Sequence, residues 1–369
     1  ITEYGWSPAA LSGAPALFQL WAGVAGVVVG RSVDRHGPRP ALLAGAFFLC
    51  LALWAIASVE AVWQVYPAFL LLGTGFACIH TVTLGKIVAR WFYRQRARAM
   101  AAATVGAGVG GAVLAPLNAW AIETHGPAAG CMALGAATLA VLLPAALWAI
   151  KDGPESVGQT IDGGRMHMAA AADIDRDVRD WPLGDAMRGL SFWALAFCLG
   201  FGMLAQSAYL YHQTPFLQQT LGLVGAAGVV SITTLAGIGG RALFILVGDR
   251  ISTRLWCTLI YAAQASAFAV LALGEGASAL TVGSAIFGFT MGLVITIQPL
   301  TVAFVYGRRS FGRIYGAIYL AIRTGAAIGP LVIGAALAAF GGYETGWLIV
   351  AVALGVAILL LPAALRPRN

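Results

Sequence analysis

Charge is what this sequence has least of. Only 10% of its 369 residues are Asp, Glu, Lys or Arg, while 60% are apolar; a soluble domain carries roughly a quarter charged residues. That deficit excludes a water-soluble fold. Thiol and metal chemistry are thin as well. The five cysteines, Cys50, Cys78, Cys131, Cys198 and Cys257, each sit in an apolar run with no CxxC pair, and read as reduced packing residues. No HExxH occurs, and Ser12-Gly13 lacks the glycine that a GxSG intramembrane protease places ahead of it, so no catalytic constellation is present and the chain does not read as an enzyme. Gly106-Ala107-Gly108-Val109-Gly110-Gly111 satisfies GxGxxG, but no strand precedes it, and small residues at this spacing instead let membrane helices approach closely. No cofactor is expected.

What is there is a series of long apolar windows. A membrane helix needs about 20 predominantly apolar residues, because every backbone amide must be satisfied inside the hydrocarbon. The windows predict an all-α, polytopic membrane protein with spans near 8–30, 40–59, 64–88, 99–121, 128–150, 191–213, 223–247, 255–274, 277–302, 315–338 and 344–365. Arg31, Arg35 and Arg39 fall in the first connection, Lys86 to Arg98 in the third, Arg250 and Arg254 in the seventh, Arg308 to Arg313 in the ninth, and Arg366 and Arg368 at the end. The alternate connections hold only Glu60, Glu123, Glu275 and Glu344 as charges. By the positive-inside rule the N-terminus faces out and the C-terminus faces the cytoplasm. The net charge of +7 is then topology plus two arginines inside spans, Arg241 and Arg323. A nucleic-acid partner is unnecessary to explain it.

An internal repeat organises the chain. Asp34-Arg35 recurs as Asp249-Arg250 and Arg98 recurs as Arg313, each 215 positions on, and Pro116 and Pro330 lie 214 apart. Parallel repeats of this kind build one large transporter fold. They predict an N-terminal bundle over 1–150, a cytoplasmic linker over 151–190 and a C-terminal bundle over 191–369. The linker carries 5 basic and 8 acidic residues, with a short surface helix expected from Asp173 to Arg188 and flexibility at Gly163-Gly164. The repeat also places the counterpart of the sixth span ahead of Ile1, so a first helix is expected to be missing from this chain.

Gly30-Arg31-Ser32-Val33-Asp34-Arg35-His36-Gly37-Pro38-Arg39 resembles the GxxxDRxGxR signature of the major facilitator superfamily, and its second copy is degenerate, with Ile245 in place of the glycine. Further stretches resemble the bacterial monocarboxylate and oxalate/formate porter branch: Tyr4-Gly5-Trp6-Ser7, Arg90-Trp91-Phe92 with Arg94 and Arg96, His212-Gln213-Thr214-Pro215-Phe216-Leu217, and Gly240-Arg241. The resemblance implies two six-helix bundles and a carrier working by alternating access from a bacterial inner membrane. The carriers of that branch place an aspartate one turn before the arginine, where this chain has Gly237. Proton coupling by that pair is therefore not carried over.

Ionisable residues within spans are costly and read as functional. Arg241 lies ~9 Å and Arg323 ~12 Å from the cytoplasmic ends of their helices at 1.5 Å per residue. No Asp or Glu lies in the interior of any predicted span. Two guanidinium groups at similar depth, each offering planar paired donors, select a carboxylate. The resemblance agrees: Arg241 matches the carriers' substrate arginine, and Arg323 falls where the oxalate/formate type has a lysine. His212, Tyr209, Gln206, Tyr319 and Gln298 are candidate cavity residues, and His80 is the proton-carrying candidate because imidazole titrates near neutrality. Gly30, Asp34, Arg35, Gly37 and Arg39, with Asp249 and Arg250, are assigned to conformational switching, since a carboxylate at a helix end can accept bonds from a neighbouring helix N-terminus. The expected function is secondary transport of a small mono- or dicarboxylate, by proton symport or anion exchange, in a monomeric carrier; a drug or cation extruder of the same superfamily and a non-transporting sensor are the alternatives.

Overall fold

The computed structural model describes residues 8–151, 153–161, 181–307 and 310–366. The Tyr4-Gly5-Trp6-Ser7 stretch, Gly163-Gly164, Arg308, Arg368 and the first half of the expected linker helix lie outside them.

The described residues form helices α1 (Pro8–His36), α2 (Pro38–Ala57), α3 (Val62–Ile79), α4 (Thr81–Trp91), α5 (Arg96–His125), α6 (Pro127–Pro144), α7 (Leu183–Met187), α8 (Leu190–Val247), α9 (Thr253–Leu273), α10 (Gly276–Tyr306), α11 (Phe311–Phe340) and α12 (Glu344–Ala364), and no strand. Nine stretches among these residues are long and apolar enough to cross a membrane. One of them, α8, has 58 residues, or ~87 Å at 1.5 Å per residue, against an apolar core of about 30 Å. It is broken at Gly222, whose φ of 67° and ψ of −180° are open to a residue without a Cβ. The predicted spans 191–213 and 223–247 lie on either side of that glycine. The chain is an all-α, multi-pass membrane fold.

Two local readings need correction. The first span runs on to His36, so Gly30, Asp34 and Arg35 stand on a helix rather than in a loop; only Gly37, at φ 81°, makes the turn, with Pro38 opening α2. The third apolar window is not one helix. His80 (φ −81°, ψ −159°) separates α3 from α4, and Lys86, expected in a cytoplasmic connection, lies inside α4 and is 7% exposed.

The chain forms two compact units, one of residues 1–93, 106–180 and 307–320, the other of 94–105, 181–306 and 321–369. Helices α5 and α11 are thus each divided, with their first turns assigned to the unit that holds little else of their own sequence half. In the first unit α2 packs on α3 and α6, and α1 on α3, around Ala25, Val29, Val33, Ala41, Ala77 and Cys78. In the second, α8 packs on α10 and α12, and α9 on α10 and α12. Its centre is aromatic: Tyr209 lies 4.3 Å from Phe287 and 6.1 Å from Trp347, between ring centroids.

Lipid tails give helices no hydrophobic reason to associate, so close approach rests on small residues. A side-chain carbon at Gly288 would collide with Thr233 O, and one at Gly73 would come within 3.2 Å of Phe18 O. Thr233 and Phe18, like Gly288 and Gly73, are 215 positions apart, so the same helix contact is built twice.

Candidate functional site

The repeat is most explicit around its two aspartates. Asp34 accepts the backbone N–H of Gly312 (2.9 Å) and of Arg313 (2.7 Å), which are among the unbonded donors at the start of α11. Asp249 accepts the N–H of Ala97 at 2.9 Å, at the start of α5. Ala97 and Gly312 are again 215 apart. Each carboxylate therefore caps a helix from the other half of the sequence and sits at the positive end of its dipole.

The two caps differ in their cation. Lys86 Nζ donates to Asp34 at 2.7 Å, and the side chains are 9% and 6% exposed. Arg98 Nε approaches Asp249 at 3.3 Å, and there the exposures are 42% and 15%. The repeat counterpart of Lys86 is Thr301, whose hydroxyl donates to Gln298 O within its own helix.

The motif's other residues support this geometry. Gly30 and Gly312 meet backbone to backbone, and Gly26 and Gly316 repeat the contact one turn on; a Cβ at Gly30 would strike Gly312 O. Reciprocal GxxxG spacings thus bring α1 against the first turns of α11. Arg39 donates from Nε to Ala146 O (3.1 Å) and from Nη2 to Leu147 O (2.7 Å), binding the last carbonyls of the α6 end. Arg35 and Arg250 are exposed.

The two span arginines belong to the second unit. Arg241 lies against Gly292: a Cβ there would come within 2.5 Å of its Nε and 2.6 Å of its Cζ. That Nε is buried and has no hydrogen-bond partner. Arg323 is 4% exposed. It stands on α11, two residues ahead of Gly325, which meets Gly200 O of α8.

The remaining candidates fall in different places. His80 and Tyr319 come together, Nδ1 to Oη at 3.3 Å, and Tyr319 is fully buried with its ring over Gly26. Tyr209 is fully buried in the aromatic centre and donates to Ser284 Oγ at 2.6 Å. Gln206 is 5% exposed, and its Oε1 has no hydrogen-bond partner. Gln298 is buried on α10. His212 Nε2 lies 3.1 Å from Pro330 O, and its ring is 5.9 Å from that of Tyr343. Burial pushes the Tyr343 phenol above its usual pKa, so it stays protonated at neutral pH. Lys86, Ala97, Gly312, Gly316 and Gly292 were not singled out from the sequence, although the 215-residue spacing already pointed from Asp34 and Asp249 to Ala97 and Gly312.

Comparison with known proteins agrees with this architecture. A family model described as Major Facilitator Superfamily matches residues 1–330. The oxalate:formate antiporter of Oxalobacter formigenes is 28% identical over 355 residues, covering 92% of this chain and 79% of its own length. Monocarboxylate transporter 11 of Mus musculus is 24% identical over 334 residues, covering 85% and 70%. Among solved structures, the proton:xylose symporter XylE superposes with a TM-score of 0.76 at 14% identity, over 98% of this chain and 88% of that one; at that identity the likeness is one of fold.

Proposed function

Because this chain belongs to the major facilitator superfamily, we propose that it is a secondary carrier of a small organic anion, a mono- or dicarboxylate, working by alternating access as proton symport or anion exchange. The observation that carries this reading is Arg241, whose buried Nε lies unpartnered against Gly292 in a chain with no acid in the interior of a predicted span. A carboxylate arriving there supplies paired acceptors to a planar donor group. It also offsets the cost of keeping a guanidinium away from water, several kcal/mol per buried ion. Arg323, on the same unit, supplies the second cation, as a dicarboxylate or a second anion requires. The names of the relatives, an oxalate:formate antiporter and a monocarboxylate transporter, point to the same substrate class.

In this reading the empty site is electrostatically expensive to close, and anion binding lowers that cost, so substrate licenses the conformational change. Asp34 and Asp249 act as the latches. Each holds a helix N-terminus in one state and must release it in the other. The cell context belongs to the same proposal: a bacterial inner membrane, a cytoplasmic C-terminus and 151–190 segment, and a monomeric carrier.

The test is uptake of labelled oxalate, formate and lactate into proteoliposomes holding the full-length carrier. Arg241→Gln is expected to lower uptake by about tenfold or more, because a hydrogen bond to a charged group is worth about 1.5–3 kcal/mol, while the detergent-extracted protein remains monodisperse. Arg323→Gln is expected to act similarly or to narrow the substrates to monocarboxylates. Normal flux of all three anions in both variants removes the assignment.

A further inference from the structure

His80 interrupts an apolar stretch where neither glycine nor proline is present to do so. Its Nδ1 lies 3.1 Å from Thr81 Oγ1 and 3.3 Å from Tyr319 Oη, and its ring stacks on Phe76 at 4.3 Å. The repeat shows which part of this junction packing requires. The counterpart of Thr81 is Thr296 and that of Tyr319 is Thr104, and these two are bonded to each other, hydroxyl to hydroxyl, at 3.1 Å. The corresponding junction is made by α5 on α10, and there the position of His80 is taken by Ile295, so it holds no titratable group. In the second unit two aliphatic alcohols suffice, and neither titrates near neutrality. In the first unit the contact is made by an imidazole and a phenol. Closing the helices does not call for that chemistry.

Its position on α11 supplies a use. Tyr319 and Arg323 are four residues apart, hence neighbours on one helix face. The counterpart of Arg323 in the first half is Gly108. The titratable junction and the second substrate cation thus share one helix, and the other half repeats neither.

We infer that His80 and Tyr319 form the proton-linked element of the carrier, coupling uptake of one proton to movement of the anion held at Arg241 and Arg323. The inference rests on the anion reading above. In the neutral imidazole carrying its hydrogen on Nε2, Nδ1 accepts the Tyr319 hydroxyl. A proton taken from water on one side of the membrane occupies Nδ1 and reverses that bond, so Nδ1–H donates to Oη. The phenol hydrogen is then released from the imidazole, and the proton leaves to the opposite side when the cycle resets. No bond to carbon changes and nothing is oxidised. The titratable and charged groups on the packed elements are Arg31, Asp34, Arg35 and His36 of α1, Arg39 and Cys50 of α2, Tyr66 and Cys78 of α3, Lys86 and Arg90 of α4, and Arg313, Tyr315 and Arg323 of α11. The carboxylate among them, Asp34, is held by Lys86 and two backbone donors, and His36 is exposed in the last turn of α1, which leaves His80 as the imidazole enclosed among these helices.

The experiment compares two driving forces on the same proteoliposomes with labelled oxalate, formate and lactate: an inward proton gradient, and preloaded unlabelled anion at equal pH on both sides. His80→Gln keeps a hydrogen-bonding side chain but cannot titrate. It is expected to lower gradient-driven uptake by about tenfold or more, as loss of a proton-transfer group does, and to leave exchange within about twofold. Tyr319→Phe, which keeps the ring over Gly26, is expected to shift the pH midpoint of gradient-driven uptake. Equal losses under both drives, or no loss under either, overturn the proton-linked role. Exchange without any gradient-driven uptake in the unsubstituted carrier overturns it too, and leaves the anion reading standing. Absence of anion flux under both drives overturns the anion reading itself.

Discussion

The two aspartate clamps are the same device built with different strength. Asp34 is enclosed, collects two helix N–H donors and a buried lysine, and sits beside a glycine-on-glycine helix crossing. Asp249 accepts the helix N–H of Ala97 and pairs with a half-exposed arginine, and Ile245 stands where the first copy has Gly30. Repeated sequence therefore does not mean repeated energy. A carboxylate with a buried partner is costly to uncouple, about 3–5 kcal/mol when one partner is lost, whereas an exposed pair contributes about 0.2–1 kcal/mol. Under the alternating-access proposal, the first clamp would then be the one whose release governs the cycle, and the second an adjustable support.

Three substitutions break or sharpen that contrast. Asp34→Asn should have the largest effect. It leaves Lys86 buried without its anion, so thermal stability in detergent should fall by an amount equivalent to about 3–5 kcal/mol, and a fall no larger than that of Asp249→Asn would erase the contrast. Exchanging the cation comes next. Lys86→Thr copies the second clamp's composition into the first and should cost about 1.5–3 kcal/mol, the worth of a hydrogen bond to a charged group. In the Lys86→Thr background, Asp34→Asn should then cost far less than it does alone, a coupling read from the double-mutant cycle. Asp249→Asn should be the mildest, about 1 kcal/mol or less, and its effect should shrink further in 1 M salt, where the Debye length is about 3 Å; the Asp34→Asn effect should be largely independent of salt.

Much of this molecule is legible in its sequence because the bilayer leaves the backbone few choices. Apolar windows locate the helices, but their ends do not coincide with the windows. Helix α1 continues through Arg31, Asp34 and Arg35 because polar residues extend a helix as readily as they end one, given a stop such as Gly37-Pro38. Lys86 looks like a loop cation to any hydropathy argument; only Asp34, 52 residues away, makes its burial tolerable. The break at His80 carries no glycine or proline, so nothing local announces it. Tyr209 and Tyr319 are indistinguishable in sequence, both tyrosines in apolar runs. One is packed among Phe268, Phe287 and Trp347 and bonded to Ser284, the other faces an imidazole, and the difference lies in neighbours distant along the chain. The 215-residue repeat is the strongest long-range signal available, and it leads to Ala97, Gly312, Thr104 and Thr296 once one member of each contact is known.

The exchange of helix starts between the sequence halves also sets an order of events on the ribosome. Ala97 has already been synthesised when Asp249, 152 residues later, leaves the tunnel, so the second clamp finds its partner waiting. Asp34 must wait 278 residues for Gly312, through most of the chain's translation, with its carboxylate at the membrane and its capped helix not yet made. Lys86 follows it by only 52 residues, so the buried ion pair can form long before the capped helix exists.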